Sequence, residues 1–264
     1  MKMTTKDSLG DRMKRNYEDR YRIYLTRRTP VIIRIDGKAF HSFTKGLNRP
    51  YDMVLKQSMW ETAKDLCENI MGCQLAYIQS DEISLLLTDY RKLTTEAWFD
   101  YNLQKICSVS ASMATRAFNK WFRLFANETV SHDISDGEKY CKLCRGKIDK
   151  AGFDARAFNI PENEVCNYFI WRQQDAMRNS VEMMGLCYFN HKELHGVSCN
   201  KIQDKLMLEK NVNWNDCPTF FKRGVCIRKV VTDEGDSCWE KDMEIPIFTQ
   251  DRGYIEELLK VEVE

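Results

Sequence analysis

Val31-Ile32-Ile33-Arg34-Ile35-Asp36-Gly37-Lys38-Ala39-Phe40-His41-Ser42-Phe43 opens with a short apolar run rich in β-branched residues, the mark of a buried strand. The strand stops at Asp36-Gly37, a pair suited to a sharp turn. A carboxylate at the end of a buried strand is poorly solvated unless something positive faces it, and a divalent metal answers that need. Gly37 lets the chain bend with no side chain in the way, so the backbone can approach a ligand closely. Successive N–H groups from Lys38 to Phe43 could then cradle a phosphate, with the Lys38 and Lys45 side chains nearby.

A second acidic turn answers the first. Residues Gln74 to Leu87 read as two short strands around Ser80-Asp81-Glu82. Tyr51 to Ile70 supplies a helix between the two turns, with Val54, Leu55, Met59, Ala63, Leu66 and Cys67 on its apolar side. A strand, a helix and a hairpin that bring Asp36 and Asp81 together form the layout of a nucleotidyl-transfer palm. Two Mg²⁺ ions about 3.5–4 Å apart would clamp the attacking and leaving oxygens there. Asp36, the Gly37 carbonyl and Asp81 are the expected ligands, with Glu82 assisting or supporting them. The loop Gly37, Lys38, Ala39, Phe40 and His41, with Lys45, Asp52 and Ser80, would seat an incoming nucleoside triphosphate. His41 either touches phosphate or is a locally hydrogen-bonded turn residue.

These motifs, with Arg49-Pro50-Tyr51-Asp52, Phe153-Asp154-Ala155-Arg156 and Trp171-Arg172-Gln173 in the same order, resemble the tRNA-histidine guanylyltransferase family and its 3′-to-5′ polymerase-like relatives. The similarity runs from about Pro30 to Phe189. It implies an enzyme that activates a 5′-monophosphorylated RNA end with ATP. The 3′-hydroxyl of GTP or another triphosphate then attacks that end. It implies tRNA as partner, a homotetramer, and Arg34 and Lys105 as residues of the activation step. Met177-Arg178-Asn179-Ser180 stands where eukaryotic members carry His-Ile-Asn-Asn, so only Asn179 is kept. That departure favours the bacterial-type relatives, which rebuild shortened tRNA 5′ ends against the opposite strand. Arg156 and Arg172 are candidates to grip phosphates, because a guanidinium does so bidentately. Asn179 and Lys210 join them as expected RNA contacts.

The order strand, helix, strand, strand, helix, strand gives an α+β, ferredoxin-like palm over residues 1–161, led by an N-terminal arm. Glu96 to Phe125 is its second helix, Val130 to Gly152 a loop over the site, and Phe153 to Ile160 its last strand. Residues 162–264 add a C-terminal part packed on the palm as one unit. It holds helices over Glu162 to Tyr188 and Asn200 to Leu208, the latter capped by Ser198. A β-hairpin follows across Asp233-Glu234-Gly235.

The chain has 264 residues, 43% of them hydrophobic, and a formal charge of +1, so any RNA contact must come from local patches. The densest is Leu9 to Arg28, where Arg12, Lys14, Arg15, Arg20, Arg22, Arg27 and Arg28 interleave with Tyr17, Tyr21 and Tyr24 at helical spacing. That segment reads as a helix whose aromatic stripe packs inward, or one that contacts RNA. The 11 cysteines, with no visible signal peptide or membrane span, point to free thiols in a cytoplasmic protein. Cys141-Lys142-Leu143-Cys144 lacks a second ligand pair for zinc. Cys187, His191, His195 and Cys199 would lie along one helix line and cannot wrap an ion. A nucleotidyl cyclase on the same palm, or a tRNA-binding module without turnover, are the alternative functions.

Overall fold

The computed structural model describes residues 8–92, 94–129, 137–232 and 235–260. A short helix α1 (Leu9–Met13) leads into β1 (Val31–Gly37), the one-turn α2 (Phe40–Phe43), and α3 (Met53–Asn69). The hairpin β2 (Cys73–Gln79) and β3 (Glu82–Leu87) precedes α4 (Leu103–Thr129), α5 (Gly137–Arg145) and β4 (Phe153–Asn159). The C-terminal part holds α6 (Glu162–Tyr188), α7 (His191–Leu194), α8 (Cys199–Lys210) and α9 (Thr219–Arg223). It ends with β5 (Val225–Val231), β6 (Ser237–Asp242) and α10 (Gly253–Glu256).

The sheet has six strands in the order β4-β1-β3-β2-β5-β6. Every neighbouring pair is antiparallel. The first four strands follow the ferredoxin-like pattern expected from the sequence, and β5 and β6 extend the same sheet. Alternation along β1 sends Val31, Ile33 and Ile35 into a core under α3 and α4. Ile32 faces the other way, into a second core under α6 and α10. Both faces of the sheet are therefore covered along much of their length, which is why β1 and β3 read as continuous apolar runs.

Local chemistry sets the helix starts. Asp52 caps α3, accepting a hydrogen bond from the Leu55 N–H at 3.0 Å. The Asn102 side chain accepts from the Lys105 N–H at 3.1 Å at the start of α4. Glu162 and Glu164 lie in the first turn of α6, just after Pro161, where carboxylates complement the helix dipole.

Several boundaries differ from the sequence reading. The basic arm is not one inward-packed helix. After α1 it loosens through a wide turn and a tight turn to Tyr21, and Tyr17, Tyr21 and Tyr24 are exposed. Tyr24 then bridges to Asn102. The stretch before β4 is not wholly a loop. Residues 130–136 lie outside the described residues, and α5 packs against the palm with Cys141 and Cys144 buried. Cys187, His191, His195 and Cys199 do not share a helix, because α6 ends at Tyr188 and α8 begins at Cys199. Ser198 precedes α8 but makes no capping hydrogen bond. The C-terminal hairpin is present as β5 and β6, with Asp233 and Glu234 of its turn outside the described residues.

Among the described residues no helix is long and apolar enough to cross a membrane. No group of three His, Cys, Asp or Glu side chains among the described residues is arranged to hold a metal, Cys141 and Cys144 included. All eleven cysteines are free thiols.

The palm core is aromatic at the end that carries Gly37. The fully buried Phe118 ring of α4 meets Phe40 at 5.5 Å, Phe43 at 5.7 Å and Phe153 at 5.4 Å between centroids. Phe118→Ala leaves a cavity there and lowers stability by about 3–5 kcal/mol, read from urea unfolding midpoints.

Candidate active site

Register builds the site. On β1, Arg34 and Asp36 share the face that Ile32 occupies. Asp36 stands opposite Glu82 of β3 and opposite Asp154 of β4. Arg34 stands opposite Ser84 and Arg156. Two rows of polar groups thus cross three strands at one end of the sheet. Asp81 sits just beyond, in the β2–β3 turn, which Ser80 closes in the left-handed region with φ 49°. The Gly37 N–H donates to the Asp81 carbonyl at 3.1 Å, locking the two turns together.

The two aspartates feel each other. Burial holds the Asp81 carboxyl above the usual range, the Ser80 hydroxyl partly offsets this, and the charge of Asp36 pushes it further up. Neither aspartate has an ion-pair partner within 4.0 Å among the described residues. Lys56 of α3 is the cation facing Asp81. Burial lowers its ammonium to about 8, and Asp81 opposes that shift.

Gly37 is required by packing, not by backbone conformation. A Cβ there would lie 2.3 Å from Phe40 Cδ2. Phe40 is a core residue, 3% exposed, so it offers a ligand only its backbone. Ala39 takes a left-handed conformation, φ 55° and ψ 35°, and turns the chain into α2. The Lys38 N–H is used by the Gly152 carbonyl at 2.8 Å. The N–H groups of Ala39, Phe40 and His41 have no acceptor among the described residues, as befits a helix start. The expected cradle is therefore three N–H groups rather than six, with Lys38, His41 and Lys45 exposed around it.

Two expected ligand-facing residues are instead committed to the fold. Asp52 is 2% exposed. Besides capping α3 it accepts from the Asn48 N–H at 3.0 Å and from the Tyr140 hydroxyl at 2.6 Å. Burial and that carboxylate push the Tyr140 phenol well up. Asp52 therefore spends both of its oxygens on the fold at the base of α3. Arg172 of α6 is likewise not a free phosphate grip. It is buried, and its Nε and an Nη bond the two Glu82 oxygens at 2.8 and 2.9 Å, with Asp175 at 2.8 Å. Arg34 adds a third contact to Glu82 at 2.8 Å. A carboxylate held by two guanidiniums has little left for a metal, so Glu82 is a poorer candidate ligand than Asp36 or Asp81.

A family model described as Thg1, tRNAHis guanylyltransferase, matches residues 10–161. This chain belongs to that family. A bacterial tRNA(His) guanylyltransferase (Thg1)-like protein solved with ATP is 50% identical and superposes with a TM-score of 0.83, over 97% of this chain and all of its own. A second such structure, with GTP, is 46% identical with a TM-score of 0.77, over 97% of this chain and 100% of its own. The R259 protein of Acanthamoeba polyphaga mimivirus is 31% identical over 235 residues, 84% of this chain and 77% of that protein. The chain is thus a guanylyltransferase-like enzyme of the family that adds nucleotides to tRNA 5′ ends. That assignment sets aside the module without turnover.

Other residues carried over from the family resemblance are placed unevenly. Arg156 is exposed beside Arg34, with a 3.2 Å contact to Asp154. Asn179 is exposed on α6 and lines a pocket with Ser80. The Lys105 ammonium lies over the Phe99 ring, 5.7 Å from its centroid, and makes no ion pair or hydrogen bond with the acidic turns among the described residues. It lies at the Val31 end of β1, because Tyr24 bridges Asn102 and the Thr26 N–H bonds Asn159, the partner of Val31. Five residues of strand separate that end from Asp36, about 17 Å at 3.3 Å per residue. Lys210 ends α8 against the Phe189 ring at 5.3 Å. Phe189 is seventeen residues beyond Arg172, about 25 Å along a helix. Sequence reasoning missed Lys56, Tyr140 and Gln79. Only Gln79 left a signal, since it shares the alternation of Leu75 and Tyr77 and abuts the acidic turn.

Two outcomes follow from these charges. Glu82→Gln takes the charge from between two guanidiniums, leaving buried Arg172 with Asp175 alone, and costs about 3 kcal/mol in denaturant unfolding. Asp81→Asn does the reverse. The folded state raises the Asp81 pKa, so its ionised form opposes folding at neutral pH. Stability from the protonated form is present at low pH and is lost as pH rises through the folded-state value. The variant is therefore more stable than wild type at pH 7, and the difference shrinks as pH falls below the carboxylate range.

Proposed function

We propose that this chain extends tRNA 5′ ends in the 3′-to-5′ direction, copying the opposite strand, with the Asp36–Asp81 pair as the reaction centre. The observation that carries this reading is the crowding itself. Two carboxylates lie close enough to repel each other, one of them buried, and among the described residues no guanidinium is spent on either while Glu82 beside them takes two. Such an arrangement fits Mg²⁺, which takes one or two carboxylates and completes its shell with water and substrate phosphates. Asp36 and Asp81 would hold it, with the Gly37 carbonyl as the expected third donor. When bound, Mg²⁺ lowers the pKa of an attacking hydroxyl and offsets charge at phosphorus.

The chain's own groups do the rest. The N–H groups of Ala39, Phe40 and His41 donate to the triphosphate, and Lys38, Lys45 and Ser80 flank it. Arg34 and Arg156 face the open side of the sheet and steady the 5′ phosphate of the RNA, held in turn by Glu82 and Asp154. ATP and GTP, seen with the related bacterial proteins, serve here for activation and for addition. Asn179 and Lys210 contact the RNA. Lys105 sits toward the Val31 end of the sheet, and its part in activation is assigned to the 5′ end bound by a neighbouring copy in a homotetramer. Loss of the His-Ile-Asn-Asn sequence at residues 177–180 favours repair of shortened tRNAs over a single guanosine addition. The free thiols fit a cytoplasmic setting.

The test offers a 5′-monophosphorylated tRNA lacking its first nucleotide, with ATP, Mg²⁺ and labelled triphosphates. Template-matched growth at the 5′ end is expected. Asp81→Ala keeps tRNA affinity and loses incorporation more than about a hundredfold, since metal stabilisation of the transition state is worth several kcal/mol. Growth confined to one guanosine on tRNA-histidine would refute the repair reading, and undiminished incorporation by Asp81→Ala would refute the reaction centre.

A further inference from the structure

A pocket opens beside the Ser80–Asp81 turn, between α3, α6 and α9. Phe220 and Phe221 give it an apolar wall, and Lys56, Gln79, Ser80 and Asn179 give it polar ones. The reaction described above uses neither Lys56 nor Gln79. Gln79 is 4% exposed. Its side chain bonds Asp175, which leaves Oε1 buried and without a partner among the described residues. Lys56 makes no ion pair or hydrogen bond of its own there; Asp81 is the charge that acts on it. The pocket therefore presents one unmet acceptor and one unmet cationic donor next to an aromatic wall.

That combination restricts the ligand. An ionised phosphate only accepts hydrogen bonds, so it satisfies Lys56 and leaves Gln79 Oε1 bare. An apolar group satisfies neither. A nucleobase carries an N–H donor beside a carbonyl or ring-nitrogen acceptor on one edge, and a flat apolar surface across it. We infer that this pocket is a nucleobase site, in which Gln79 Oε1 accepts from a base N–H and Lys56 donates to the adjacent acceptor. Asn179 reads the rim of the same edge, and Phe220 and Phe221 pack on the base. The inference rests on the nucleotidyl-transfer reading above. Two nucleotides meet at that centre, the incoming triphosphate and the 5′-terminal residue of the RNA, and either can supply the base.

Equilibrium titrations of wild type, Lys56→Met and Lys56→Arg test it. The ligands are GTP, inorganic tripolyphosphate, and 5′-monophosphorylated tRNA with or without the base of its first nucleotide. Lys56→Met weakens GTP, or the base-bearing tRNA, about tenfold, within the range a hydrogen-bonded base contact supplies. Tripolyphosphate and abasic tRNA bind as before, and Lys56→Arg restores much of the loss. A loss on GTP places the incoming base in the pocket, and a loss confined to base-bearing tRNA places the RNA terminus there. Asn179→Ala, on the exposed face of α6, gives the same pattern if Lys56→Met does not fold. Equal weakening of GTP and tripolyphosphate overturns the inference, as does unchanged binding of every ligand. Wild type that shows this base-dependent binding but extends no RNA would refute the transfer reaction alone.

Discussion

Two antiparallel ladders grip β1, one from β3 and one from β4, and their registers place Asp36. A slip of one residue in either would turn Asp36 into the aromatic core beneath and bring Ile35 to the ligand face. The slip is opposed from both sides of the sheet. Ile33 and Ile35 are fully buried against α3 and α4, and Ile32 against α6. Burial of the apolar alternates is thus what aims the polar ones. The Gly37–Asp81 hydrogen bond at 3.1 Å then ties the second acidic turn to the first, so the site forms when the sheet forms.

Charge is distributed unequally around that point. Glu82 is fully engaged by Arg172 and Arg34, and Arg172 is shared with Asp175. Trp171 covers this network, 4.4 Å from the Arg172 guanidinium and 5.8 Å from that of Arg34. Among the described residues neither Asp36 nor Asp81 has a guanidinium partner, and Asp81 is met only by the Ser80 hydroxyl and the charge of Lys56. A protein selected for stability alone would have paired them. The repulsion of two neighbouring carboxylates is instead retained, which is the feature on which the proposed metal and triphosphate site rests.

Much of this was legible in the sequence. The β-branched run ending in Asp36-Gly37, the Ser80-Asp81-Glu82 hairpin and the spacing of helices between them gave the palm and the acidic pair, because strands covered on both faces leave continuous apolar runs and turns leave Gly, Asp and Ser. What was misjudged depended on partners distant along the chain. Asp52 has the same appearance whether it faces a ligand or caps a helix under Tyr140, 88 residues later. Arg172 reads as a phosphate grip until Glu82 is placed 90 residues back across the core. Tyr17, Tyr21 and Tyr24 recur at helical spacing, yet the arm loosens after Met13 and leaves them in solvent.

The amino-acid sequence by itself determined the element order, the residues of the acidic turns and membership of the family, since these depend on local period, turn chemistry and motif order. Only the tertiary structure decided which charges stay free. That choice is made by contacts among strands and helices far apart in the chain, which neutralise Glu82 and Arg172, bury Asp52, remove Lys105 to the other end of the sheet and bring Lys56 to Asp81. Hydrogen bonds form only at contact distance and exposed charges are screened within about 10 Å, so a side chain's role follows from neighbours that no linear reading supplies.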